Sequence, residues 1–327
     1  MKSTPTTPNA YESACAKSAW RMTLGVFVTI TNIQRIFKSC GANILKRKNR
    51  VYSIYHFFAH LYRNRNRLEW VPKLEDFPFD VELLSYKGKG RFPDFAIRVN
   101  SGGNPPGGEL IEAKDSKSFS VPSFNSTIPT GHKSIESLVQ GKRSVVREQM
   151  EAAGDDIYSV PMREVYYLLR GKDPKTRNTK ICLVHGSFFE TIKVEQLIRQ
   201  AFGQVLDERL EAEDHAISAE LHDLMLRIFS TQDSFSKVRH VENASVKLRF
   251  RIMTEVKKEG NVFNSKIYPE IRDNTLNFII PNHPAEDIAR RKRYLRQALA
   301  TSEWEEGVQT TITHPFNGDF FVLSYAL

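Results

Sequence analysis

The order of apolar and polar positions changes character three times along this chain. From residue 11 to about 45, Trp20, Leu24, Phe27, Val28 and Ile36 recur at helical spacing and predict one or two helices with a break at Gly41. Residues 1–10 are Ser/Thr/Pro-rich and read as frayed. From Phe77 the period shortens, and 80–86, 95–99 and 109–114 read as strands separated by turns at 87–90 and 101–108. Ser134 opens a helix that runs to about Ala153 and stops at Gly154, with Leu138, Val145, Val146 and Met150 as its apolar positions. Residues 164–169 and 180–184 predict a hairpin around a basic turn, and 190–202 a helix with Ile192, Leu197 and Ile198 facing inward. Beyond Gly203, 206–229 predicts a single acid-rich helix carrying Leu210, Ile217, Leu221, Leu224 and Ile228 on one face. A strand or hairpin over 237–257, a strand at 276–280, a helix over 284–300 and a buried final strand, FFVLSYAL, complete the chain.

Composition adds a partner to this outline. With 327 residues, 40% of them hydrophobic and 26% charged, the chain can bury the core of one large or two modest domains. Its net charge of +9 points to a polyanion, nucleic acid before an acidic membrane surface. Between Ser13 and Leu68 there is no Asp or Glu but there are eleven Lys or Arg, with Lys46, Arg47, Lys48 and Arg50 clustered. Tyr52, Tyr55, Phe57, Phe58 and Tyr62 are interleaved. Such a run suits a phosphate backbone. The bland alternative is a helix packed through its aromatics with a solvated basic face, and the length of the acid-free run favours phosphate contact over it. A second basic cluster, Arg290 to Arg293 with Arg296, lies in the helix over 284–300.

Other classes fall away. Cys15, Cys40 and Cys182 are odd in number and lack CxxC spacing, which argues against a disulfide scaffold and fits a reducing cytoplasm. The apolar run 22–33 is too short for a membrane span and lacks the flanks of a secretory signal, so the chain reads as soluble and cytoplasmic. His56 and His60 have zinc-ligand spacing, but Phe57 stands where a zinc peptidase has Glu and no third ligand is evident. Core-edge or DNA-side histidines are the simpler reading.

The chemistry concentrates in 92–117, FPDFAIRVNSGGNPPGGELIEAKDSK. Read as a hairpin, its second strand places Glu112 and Lys114 on one face and Ile111 and Ala113 on the other, because successive side chains alternate. Asp94, at the start of the first strand, can lie across from them. Two carboxylates beside an ammonium can bind Mg²⁺ through oxygen and leave room for water and a phosphate. The bland alternative is a surface hairpin with solvated charges.

At Pro93, Asp94, Glu112 and Lys114 the chain resembles the PD-(D/E)XK nuclease superfamily, and within it the type II restriction endonucleases. The resemblance implies an α/β fold: a restriction-endonuclease-like core over 76–205, with a central mixed β-sheet flanked by helices. The chain's own texture puts a basic helical segment over 1–75 before it and an α+β accessory part over 206–327, for DNA contact or dimerisation, after it, or joins all three in one compact domain. The resemblance also implies Mg²⁺-dependent hydrolysis of double-stranded DNA, with Asp94, Glu112 and a carbonyl near Ala113 holding the metal and Lys114 serving the attacking water. Glu82, Glu69 or Glu12 could add a further upstream acid. For DNA contact the candidates are Lys117, Asn125, His132 and Lys133 in the loop after the motif, Lys142 and Arg143 on the following helix, and Lys172, Lys175 and Arg177 at the hairpin tip, along with Lys46, Arg47, Lys48 and Arg50. A homodimer on a short palindromic site, and a cognate DNA methyltransferase in the same system, complete the expectation. A repair, recombination or mobile-element nuclease of the same fold, or a basic DNA-binding protein that does not cut, are the alternatives. RNA binding ranks last, for want of an aromatic-rich signature.

Overall fold

The computed structural model describes residues 52–87, 92–125, 128–140, 144–190, 194–213, 216–230 and 253–327, and residues 51–327 form one compact unit. A mixed sheet organises it. Its strands are β1 (Leu84–Lys87), β2 (Phe95–Ile97), β3 (Leu110–Ser116), β5 (His132–Ser134), β6 (Met162–Lys172), β7 (Thr179–His185), β9 (Thr275–Pro281), β10 (Val308–His314) and β11 (Gly318–Ala326). They lie in the order β1-β2-β3-β6-β7-β9-β11-β10, and β5 pairs with the start of β6. The β3/β6 and β7/β9 pairs are parallel and the remaining neighbours antiparallel. Two further short strands, β4 (Phe124–Asn125) and β8 (Met253–Thr254), pair separately.

Period-2 alternation sorts the side chains into two cores, one on each face of the sheet. Ile111, Tyr166, Leu168, Leu183, Phe278 and Leu323 bury on one face; Leu110, Tyr167, Leu169, Val184, Ile279 and Val322 bury on the other. The first face is covered by α1 (Ile54–Arg63), α2 (Arg65–Trp70) and α7 (Ala285–Ala298). The aromatics Tyr55, Phe57, Phe58 and Tyr62 are the buried stripe of α1, with Phe58 stacked on Phe278 at 4.8 Å between ring centroids. The packing alternative therefore describes this part of the basic run: Arg63 and Arg65 pair with Glu303 and Glu306 of α8 (Thr301–Glu306). Lys46, Arg47, Lys48 and Arg50 lie outside the described residues. The second face is covered by α3 (Ile135–Val139), α4 (Val145–Ala152) and the segment carrying Val262, Phe263 and Tyr268.

Several expectations need correction. The helix over 134–153 is two helices: α3 ends at Val139, and Ser144 caps α4 by accepting the Arg147 N–H at 3.3 Å. Val145 consequently points outward. The helix predicted to stop before Gly203 runs through it as α5 (Val194–Ala212), since Gly203 faces Leu226 of α6 (Ala219–Ser230) and a bulkier contact is not required there. The single helix over 206–229 is thus the end of α5 and all of α6. Leu226 is buried, whereas Leu221, Leu224 and Ile228 are exposed. In α7, Arg291 turns inward to Glu164 instead of joining its neighbours at the surface, Lys292 lies over the Phe321 ring, and Arg296 over Trp304. His56 hydrogen bonds with Ser53, and His60 with the Pro78 carbonyl. Among the described residues no helix is long and apolar enough to cross a membrane.

Glu109, just before β3, carries a testable cost. Its carboxylate is buried with one oxygen lacking a partner. Burial, reinforced by Glu164, pushes its pKa from 4.5 up to about 7. The folded state therefore prefers the protonated form: the associated stability is complete below about pH 4.5 and is lost as pH rises through 7, by about 3 kcal/mol in all. Glu109→Gln should be more stable than the parent at pH 8 and flatten the fall in urea midpoint between pH 5 and 8. Equal slopes in the two proteins would refute this.

Candidate active site

The resembling motif folds around the β2–β3 hairpin. Asp94 immediately precedes β2, whose pairing with β3 (Phe95↔Ile111, Ala96↔Leu110) stops there. Beyond that point the Ala113 N–H turns to a side chain instead of a strand, donating to Asp94 Oδ2 at 2.9 Å. Asp94 thus continues the ladder as a carboxylate. In an extended strand a residue's N–H and C=O share an edge, so the Ala113 carbonyl faces the Asp94 side as well.

Glu112 and Lys114 rise from the same sheet face, as expected, with Ala113 buried on the other. Lys114 Nζ lies 3.3 Å from Glu112 Oε1 and 5.6 Å from the centroid of the Phe124 ring. Glu112 lies within hydrogen-bonding reach of Asp94, and its Oε2 is buried without a partner. Burial first, then the neighbouring Asp94, push the Glu112 carboxyl up to about 7, against the pull of Lys114. Burial likewise raises Asp94, opposed by the Ala113 N–H and by Lys114. Two crowded carboxylates that resist ionisation together, one with an open oxygen, form a hard-oxygen donor set that a divalent cation would relieve.

The upstream acid that bears on this pair is Glu75, whose charge raises Asp94. It sits in the turn Leu74–Asp76, which is tied to the motif strand: Leu74 N–H donates to Asp115 Oδ2 at 2.9 Å, and Asp115 Oδ1 accepts from Arg170 Nε at 2.6 Å. Of the acids expected from sequence, Glu69 gives its carbonyl to Lys172, Glu82 gives its carbonyl to Arg98, and Glu12 lies outside the described residues. Glu75 carries no sequence signal, because a one-turn 3₁₀ segment has no periodicity to mark which face it presents.

The predicted DNA-contact residues divide. The register Ser116↔Gly171 puts Lys117 at the same end of the sheet as the β6–β7 tip, where Lys175 and Arg177 are exposed. Lys172 instead donates to the Glu69 carbonyl at 2.9 Å. Lys133 lies over the Phe92 ring, Asn125 pairs through its backbone with Met253, and His132 leans toward Glu164 and His185. Lys142 and Arg143 lie outside the described residues. No family model, curated protein or solved structure matches the chain.

Proposed function

We propose that this chain is a Mg²⁺-dependent, site-specific endonuclease of double-stranded DNA, acting in the manner of the type II restriction enzymes that its motif resembles. The observation that carries the reading is the meeting of Asp94, Glu112 and Lys114 at one point of the sheet, with a Glu112 oxygen buried and unpartnered. Charges that were merely solvated would not be held in so costly a way. Around that point the chain runs through five strands, two helices, two strands and a helix, and a mixed sheet flanked by helices is compatible with the α/β architecture that the resemblance implies.

Asp94, Glu112 and the Ala113 carbonyl would hold the cation. Mg²⁺ bound there would lower the pKa of a water and neutralise charge building on the phosphate. Lys114, shielded by Glu112 and Phe124, would orient the attacking water or donate to a phosphate oxygen; in such a partly dry site its charge would act more strongly than at the surface. The water oxygen bonds to phosphorus as the P–O bond to the leaving nucleotide breaks. Lys117, Lys175 and Arg177 supply backbone contacts at the adjoining sheet end. A homodimer would match the two-fold symmetry of a palindromic site, a methyltransferase of the same specificity would protect the host's own DNA, and the cytoplasm is where both would meet it.

The test is digestion of phage or plasmid DNA by the purified protein with Mg²⁺, with EDTA, and with Lys114→Ala. Discrete fragments that need Mg²⁺, with cutting reduced on the order of 10²–10³-fold in the variant, are expected. A Mg²⁺-dependent smear would keep the chemistry and remove the site specificity. DNA that is retarded on a gel yet stays intact would overturn the enzyme reading and leave a basic binding protein.

A further inference from the structure

On the sheet face opposite Glu112 and Lys114, three strand ends bring together His132 from β5, Glu164 from β6 and His185 from β7. One ligand-type atom from each lies within 4.8 Å of the other two. Register explains the meeting: His132 pairs with Glu164, and Tyr166, two residues on and on the same face, pairs with His185. Gly131 permits the approach of β5, since a Cβ at that position would meet His185 Cε1 at 3.0 Å and the Ser187 backbone nitrogen at 3.2 Å.

We propose that these three residues form a divalent transition-metal site of the zinc class, distinct from the carboxylate site of the proposed nuclease centre and independent of that reading. His185 is 1% exposed, and its Nε2 is buried with no hydrogen-bond partner. A buried polar nitrogen left without a partner is costly, and a metal is one way to satisfy it. Its Nδ1 lies 2.8 Å from Ser187 Oγ and accepts the Ser187 backbone N–H at 3.3 Å; metal binding through Nε2 would shift the ring proton to Nδ1, where Ser187 Oγ can accept it in place of the backbone contact. Glu164 is oriented in the same manner. Arg291 donates to both of its oxygens, at 2.5 and 3.1 Å, and Tyr166 Oη to Oε2 at 2.8 Å. Of the roughly four lone-pair sites on a carboxylate, one on Oε1 remains.

The donor set selects the metal. Two imidazoles and one carboxylate suit zinc, with a fourth position left to water, whereas Mg²⁺ prefers the all-oxygen set of Asp94 and Glu112. Ligands about 2.1 Å from a tetrahedral centre stand about 3.4 Å apart, so the group must tighten on binding. His132, the exposed member, can supply that movement by rotating. Binding would tie β5, the strand at which the loop after the motif returns, onto β6 and β7.

The experiment uses the full chain, stripped with chelator and then titrated with Zn²⁺, Mg²⁺ or Co²⁺. The expected result is one Zn²⁺ per chain at this site, a tetrahedral Co²⁺ visible spectrum, and a melting temperature raised by Zn²⁺. His132→Ala removes an exposed side chain and should leave the metal-free melting temperature unchanged while weakening Zn²⁺ binding at least about tenfold. His185→Gln should lose the Co²⁺ spectrum, and Lys114→Ala should keep it. Zn²⁺ binding that is unaltered by His132→Ala, or a chain that takes up no Zn²⁺, would overturn the proposal, whatever the outcome of DNA digestion.

Discussion

Glu112→Gln is expected to lose Mg²⁺-dependent DNA cleavage on the order of 10³-fold while melting, in EDTA, at or above the temperature of the parent. Both effects have one cause. The Glu112 carboxylate is buried, crowds Asp94 and leaves Oε2 unpartnered. These properties make it a good cation ligand and a poor structural residue. The neutral amide keeps the shape and can still accept from Lys114, so it removes a buried charge without opening a cavity. Saturating Mg²⁺ should raise the melting temperature of the parent by linkage and leave the variant unmoved. A variant that still cuts, or one that melts well below the parent, would sink the assignment of Glu112 as a ligand.

The second large effect is structural. Arg170→Met should destabilise the fold by roughly 2–4 kcal/mol, because it removes the buried donor of several backbone carbonyls; Asp115, 36% exposed and still accepting the Leu74 N–H, adds little. The Arg170 side chain is 3% exposed, and besides Asp115 it donates to the carbonyls of Leu68 at 3.0 Å, Val71 at 2.8 Å and Pro72 at 3.3 Å. Methionine fills the volume but leaves these acceptors facing an apolar group. Arg170→Lys should recover less than half of the loss, since an ammonium cannot reproduce the planar fork. The same contacts hold the chain from α2 to the Leu74–Asp76 turn against β3, so cleavage by either variant should fall further than the fraction unfolded accounts for. Urea midpoints and specific activity at a temperature where both variants are folded decide the matter. A loss below about 1 kcal/mol in Arg170→Met would refute the staple role.

What the sequence determined by itself about this protein is what short range dictates. Alternation along β3 is a covalent property of an extended chain, so Glu112 and Lys114 had to share a face once the strand formed. The apolar runs of β6, β7, β9 and β11 suit strands buried on both faces, and the aromatic spacing of α1 suits a packed helix, although the sequence left that run open to phosphate contact as well. The polar strand β10, VQTTITH, escaped notice because it lies at the sheet edge with one neighbour and a mostly exposed surface, where little apolar patterning is required.

Only the tertiary structure decided which distant strands became neighbours. The parallel joining of β7 to β9 brings the C-terminal strands into the same sheet as the motif, and no local periodicity encodes it. Arg291 reads as one more cation on a basic helix until β6 presents Glu164 beneath it. Glu75 becomes a neighbour of Asp94 only through Asp115 and Arg170, and His132 meets His185 only because Gly131 lets β5 close on the end of β7. Local pattern sets which face a side chain takes. Who stands opposite depends on the register and order of strands far apart in the chain, and that is settled by packing the whole sheet.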